Sequence, residues 1–124
     1  MAKPARVLLT IGQDARRLQL RRLLENQQDI IVVAEEFDPL RILVAVAETM
    51  ADVVILDLPD GVTDPGICSH LLAEFPQLVV LALSLKQDEL IVYKNKIVKE
   101  RISSPADKEI LSIIRQARSD ADDE

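Results

Sequence analysis

A chain of 124 residues, 48% of them hydrophobic, is one domain's worth and can bury about two thirds of the surface its unfolded form exposes. Fifteen basic against twenty-one acidic side chains give a net charge of -6, and Asp120, Asp122, Asp123 and Glu124 supply four of those negative charges, so nucleic acid is excluded as a partner of the whole chain. One cysteine, Cys68, and one histidine, His70, allow neither an internal disulfide nor a structural zinc site, and no apolar run reaches the roughly 18 residues of a membrane span.

The first apolar run, Val7-Leu8-Leu9-Thr10-Ile11, reads as a buried strand. Asp14 is expected to cap the helix that follows, running through Ala15 to about Asn26 with Leu18, Leu20, Leu23 and Leu24 as its apolar stripe. A second strand follows at Ile30-Ile31-Val32-Val33-Ala34, and Asp38-Pro39 opens a second helix, a capping oxygen before a proline whose fixed φ suits the first helical turn. Val53-Val54-Ile55-Leu56 is a third strand, Asp64-Pro65 opens a third helix, and Leu78 to Leu83 form a fourth strand. Continuous rather than alternating hydrophobicity in these runs requires cover on both faces, the habit of parallel strands flanked by helices.

The alternation then breaks. Ile91-Val92-Tyr93 and Ile97-Val98 favour β-structure, and Lys94-Asn95 between them suggests a tight turn, so the segment reads as a hairpin, with a short distorted helix from Asp88 as the alternative. Ser104-Pro105 opens the last helix, Asp107 approximates a capping box, and Ile110, Leu111, Ile113 and Ile114 form its core face. The expected organisation is one domain over residues 1–118 and an acidic, disordered tail over 119–124.

Several stretches in this order resemble the receiver domain of bacterial response regulators, the CheY-like superfamily: Arg6-Val7-Leu8-Leu9 with Leu20 to Glu25 after it, Asp52 to Leu58, and Glu74-Phe75-Pro76 leading into Leu78 to Ser84. The resemblance is strongest to receivers of regulators that carry helix-turn-helix output domains. It implies an α/β fold with a doubly wound, flavodoxin-like parallel sheet in the order 2-1-3-4-5 and an active site outside the carboxyl ends of strands one and three. The hairpin would replace the family's fourth helix. The resemblance also implies a role in two-component phosphorelay signalling, in which a histidine kinase phosphorylates an aspartate.

Phosphoryl transfer to a carboxylate needs a metal ion and cations to offset the charge that accumulates. Asp57 matches the family's phosphoacceptor and Ser84 its supporting hydroxyl. An ungapped alignment puts Ile11 and Gly12 where the family keeps its acidic, Mg²⁺-holding pair, and neither side chain offers an oxygen. Asp14 is the nearest replacement ligand, so the candidate metal set is Asp57 with Asp14; its simpler reading is a helix cap. Pro59 lies two residues beyond Asp57, where the family has proline four beyond. The family's lysine position falls on Ser103 or Ser104; Lys99 and Arg101 reach it only if the register slips. The switch aromatic gives way to Glu100 or Arg101, with Tyr93 either a displaced substitute or, the simpler reading, a packing or edge residue.

Three functional classes follow. The first is a degenerate pseudo-receiver, not an enzyme and without a cofactor, that binds a signalling protein independently of phosphorylation. Its candidate interaction surface is Ile91, Tyr93, Ile97 and Lys99, and a homodimer through the 89–102 edge is one form this would take. The second is a working receiver with Asp57 as phosphoacceptor for a histidine kinase, Ser84 in support, and Mg²⁺ bound. The third, a nucleotide binder or flavodoxin-like enzyme on the same sheet, lacks phosphate-cradling glycines in Thr10-Ile11-Gly12-Gln13-Asp14. Cys68 and His70, two apart on a helix, share no face and make no nucleophile and base pair. The run Arg16, Arg17, Arg21 and Arg22 reads as a solvated face. With Met1 to Pro4 too polar for a secretion signal, the expected location is the cytoplasm, with no membrane partner.

Overall fold

The computed structural model describes residues 3–58, 66–84, 88–94 and 97–122. In chain order the elements are β1 (Ala5–Thr10), α1 (Asp14–Glu25), β2 (Ile30–Glu35), α2 (Pro39–Thr49), β3 (Val53–Asp57), α3 (Gly66–Glu74), β4 (Val79–Ser84), β5 (Glu89–Lys94), β6 (Ile97–Ser103) and α4 (Asp107–Asp122). The strands form one sheet in the order β2-β1-β3-β4-β5-β6. Pairing is parallel from β2 through β4, whereas β5 runs antiparallel to both β4 and β6.

Consecutive residues of each buried strand enter opposite cores, because side chains alternate across a sheet. Val7, Leu9, Val53, Ile55, Leu81 and Leu83 meet α1 and α4, while Leu8, Val54, Leu56, Val80 and Ala82 meet α2 and α3. This two-sided burial is the cause of the unbroken apolar runs and of the α/β architecture expected from them. Among the described residues no helix is long and apolar enough to cross a membrane.

Several local expectations change. Gln13, with no side-chain cap bond, stands at the N-cap of α1, so Asp14 is its first helical residue and not its cap. Leu20 and Leu24 are buried and Leu23 packs beside them, but Leu18 is half exposed and outside the core. Asp38 does cap α2, its Oδ1 accepting from the Leu40 N–H at 3.0 Å. Asp64-Pro65, Pro59 and Asn95 of the expected Lys94-Asn95 turn lie outside the described residues.

The last helix starts later than Ser104-Pro105 suggests. Ser104 adopts a left-handed φ of 49° and its N–H donates to the Asp88 carbonyl at 2.6 Å. The reciprocal cap is made instead by Glu109, whose Oε1 accepts from the Ala106 N–H at 3.0 Å while the Ala106 carbonyl accepts from the Glu109 and Ile110 N–H groups. α4 continues to Asp122, and Asp120 bonds to Lys94 and Gln116.

The hairpin expected between Leu85 and Ser103 forms, and the helical alternative from Asp88 does not, as Asp88 itself has a φ of 48°. Its first arm, β5, occupies the place beside β4 where the receiver order has a fifth parallel strand. β6, which runs parallel to β4, is displaced one position outward. A bulge sets Val92 opposite Glu100 and Tyr93 opposite Val98, leaving Lys99 as the extra residue.

Candidate functional site

The carboxyl edge of β1 and β3 brings Gly12 and Asp57 together. The Gly12 N–H donates to Asp57 Oδ2 at 2.9 Å, and a Cβ built on Gly12 would stand 3.6 Å from that oxygen. A side chain at position 12 therefore hangs directly over the carboxylate, yet here the position offers only a backbone donor. Ile11, one residue earlier, is wholly buried in the core with α1 and α4. Leu58 extends the ladder past Asp57 by donating to the Leu83 carbonyl at 2.8 Å, which fixes the carboxylate at the sheet's rim.

Mg²⁺ takes hard oxygen ligands in near-octahedral array and keeps several waters. At positions 11 and 12 beside Asp57 the structure presents the Gly12 N–H and an isoleucine turned into the core, and neither side chain offers the ion an oxygen. Asp14 does not make up the loss. Its carboxylate is 82% exposed and pairs at 2.8 Å with Arg17, whose Nη1 donates to the Ile11 carbonyl at 3.3 Å and whose guanidinium lies 5.0 Å from the Phe37 ring centroid. Among the described residues no three His, Cys, Asp or Glu side chains are grouped to hold a metal ion.

Ser84 ends β4, one residue past the Leu83 that pairs with Asp57. Across from Ser84 the sheet places Glu89, the first residue of β5. An acid thus takes the register position beside Ser84, and Arg101 holds it by an ion pair of 3.0 Å. Ser103 ends β6 opposite Glu89, three strand spacings from β3. At about 4.8 Å per spacing that is roughly 14 Å from Asp57, against roughly 10 Å for a strand adjoining β4. Lys99 sits in the bulge, four residues before the carboxyl end of β6, and Arg101 is turned to Glu89. Neither is at the site.

The candidate interaction residues separate in the same way. Ile91 and Tyr93 are only 2% and 5% exposed and belong to the core with α2 and α3. They are packing residues, a correction that follows from β5 being an interior strand with β6 beyond it. Ile97 and Lys99 lie on β6, the edge of the sheet. Cys68 is buried and His70 exposed, in line with their lying on different faces of α3. Sequence reasoning missed Glu89 and Arg17 as neighbours of the site. The Asp14 to Arg17 spacing of three, good for a helix ion pair, was a usable signal for the second; nothing short of the strand register reveals the first.

No family model matches the chain, and no curated protein matches it. Solved structures do. The signal receiver domain of an HD domain-containing protein from Pseudomonas fluorescens Pf-5 superposes with a TM-score of 0.71 at 21% identity, over 98% of this chain and 100% of that one. The response regulator domain of Thermotoga maritima CheB gives 0.64 at 21% identity, over 94% and 98%. A two-component response regulator of the LuxR family from Aurantimonas sp. SI85-9A1 gives 0.58 at 26% identity, over 67% of this chain and 60% of that one. The chain has the fold of these receiver domains.

Proposed function

We propose that the chain serves two-component signal transduction as a degenerate receiver, a protein-interaction module whose output does not depend on phosphorylation. The observation that carries this reading is the Gly12 N–H bonded to Asp57 Oδ2 at 2.9 Å, in the place where receivers set a metal-binding carboxylate. A phosphoryl group arriving at Asp57 meets no cluster of metal-ligating side chains among the described residues, Arg17 is already engaged by Asp14 and the Ile11 carbonyl, and Glu89 adds negative charge across from Ser84. The partner is a signalling protein, a histidine kinase among the possibilities, bound through the face that the β5 and β6 hairpin has remodelled. The edge strand β6 supports pairing with a different chain more than with itself, since a bulge and the consecutive charged residues Lys99, Glu100 and Arg101 are devices that oppose edge-to-edge association.

Incubation with a small phosphodonor and millimolar Mg²⁺, followed by intact mass measurement, tests the reading. No phosphoryl mass gain is expected. A gain that disappears in Asp57→Asn would establish the alternative, a working phosphoacceptor.

A further inference from the structure

Helix α2 has two apolar faces. Ile42 and Val46 point into the core, 3% and 2% exposed. On the opposite side Leu40, Val44 and Ala47 form a second stripe at spacings of four and three, with Leu40 86% and Val44 55% exposed. A helix that is apolar all round belongs in an interior, and a stripe at this spacing is the seam by which two helices pack. Solitary exposed leucines are ordinary on protein surfaces; a continuous row along a helix is not.

The charges flanking the row specify what covers it. Arg41 and Glu48 lie along one side of the stripe, both exposed, and neither has an ion-pair partner among the described residues. Two antiparallel copies of α2 related by a two-fold axis at Val44 bring Val44 against Val44 and Leu40 against Ala47. In that arrangement residues on the same flank face one another across the seam. Arg41 of each copy then stands opposite Glu48 of the other, giving two identical interchain ion pairs. A parallel pairing sets this flank against the opposite flank of the other copy and makes neither ion pair.

We infer that the chain forms a symmetric dimer through α2, with Leu40, Val44 and Ala47 as its seam and the Arg41 to Glu48 pairs fixing the antiparallel register. This goes beyond the proposed function and does not depend on it, for the dimer is expected whether or not Asp57 accepts a phosphoryl group. An eleven-residue helix pair is smaller than the roughly 1,200–2,000 Å² of a standard stable interface. The association is accordingly weak, with a dissociation constant on the order of 10–100 μM.

Sedimentation equilibrium from about 5 μM to 1 mM tests it on the full chain. A concentration-dependent dimer is expected, lost over that range in Val44→Glu. Arg41→Glu and Glu48→Arg singly should each weaken it about five- to thirtyfold by placing like charges opposite, and the double swap should return it to within about threefold of the original. The altered residues are solvent-facing, so unchanged circular dichroism and thermal midpoint confirm that each variant folds. A chain that stays monomeric at 1 mM overturns the inference. So does a dimer that survives Val44→Glu, which moves the interface elsewhere; its loss in an edge variant such as Arg101→Pro would place it at β6. Failure of the double swap to rescue overturns the antiparallel register.

Discussion

The two halves of the sheet are built by different rules. From β2 to β4 the strands are parallel and each is reached through a helix, so both faces are covered and the receiver architecture is kept. From β4 to β6 the chain turns back on itself, and the helix that follows, α4, covers both the older strands and the new pair. It does so with Ile110 and Ile114 in the core and with ion pairs at both flanks, Arg115 to Asp29 beside β2 and Asp120 to Lys94 on β5. The comparison separates what a fold needs from what its chemistry needs. Interposing β5 leaves the hydrophobic layers intact, because Leu90 and Val92 join one core and Ile91 and Tyr93 the other. It still places β6, the strand parallel to β4, one spacing farther from Asp57 than a strand adjoining β4.

The sharpest test of this division is whether β5 is a true interior strand. Leu81→Ala on β4 and Ile91→Ala on β5 remove side chains that are 0% and 2% exposed, and each is expected to cost about 2–5 kcal/mol in urea unfolding. Ile102→Ala on the edge strand, only partly buried, should cost less. If Ile91→Ala costs under about 1 kcal/mol, the hairpin is an appendage and the two halves do not share a core.

Asp52 joins the halves at the opposite rim. Its Oδ2 accepts from the Arg6 N–H at 2.9 Å and its Oδ1 from Arg118 Nη1 at 3.2 Å, with both side chains more than four-fifths buried. Removing the carboxylate takes one buried acceptor from both the Arg6 N–H and the Arg118 guanidinium. Asp52→Ala is expected to lower stability by about 2–3 kcal/mol, read from the urea midpoint.

The parallel half was legible in the sequence because its signals are local. Apolar runs, an aspartate before a proline and a carboxylate at a strand end each report on a few neighbouring residues, and they placed β1 to β4, the start of α2 and Asp57. The site was less legible because its character is set by register. Nothing near Glu89 announces that it lies opposite Ser84, and the β-favouring residues of 91–93 suggest an exposed hairpin until the sheet order shows β6 outside it. Caps failed where side chains competed: Asp14 was drawn to Arg17, and Glu109 rather than Asp107 closed the turn at Ala106.

A smaller effect probes the site itself. Gly12→Asp sets a second carboxylate above Asp57, with its Cβ in ordinary contact at 3.6 Å. Like charges should cost about 1 kcal/mol without metal, and millimolar Mg²⁺ should return part of that stability, since an ion bound only by the folded state stabilises it. The unaltered chain should show no such gain. If both chains respond to Mg²⁺ alike, Gly12 is not what withholds the ion.

The smallest effect concerns the outer flank of α4. The Arg115 guanidinium bonded to Asp29 at 2.7 Å holds that carboxyl below its ordinary range, its hydrogen bond outweighing a slight desolvation. A carboxyl that binds its proton less tightly folded than unfolded gives stability that is complete above pH 4–5 or so and fades as pH falls through the lowered value. Both side chains are about half exposed, 53% for Asp29 and 43% for Arg115. Solvent screening keeps the contribution below about 0.5 kcal/mol. Comparing urea midpoints at pH 6 and pH 3 isolates it: Asp29→Asn should lose slightly less stability on acidification than the unaltered chain, and 1 M salt should shrink the difference. An identical acid response would mean that α4 is held on the parallel half by Ile110, Leu111 and Ile114 alone, with Arg115 adding nothing measurable to that side of the comparison.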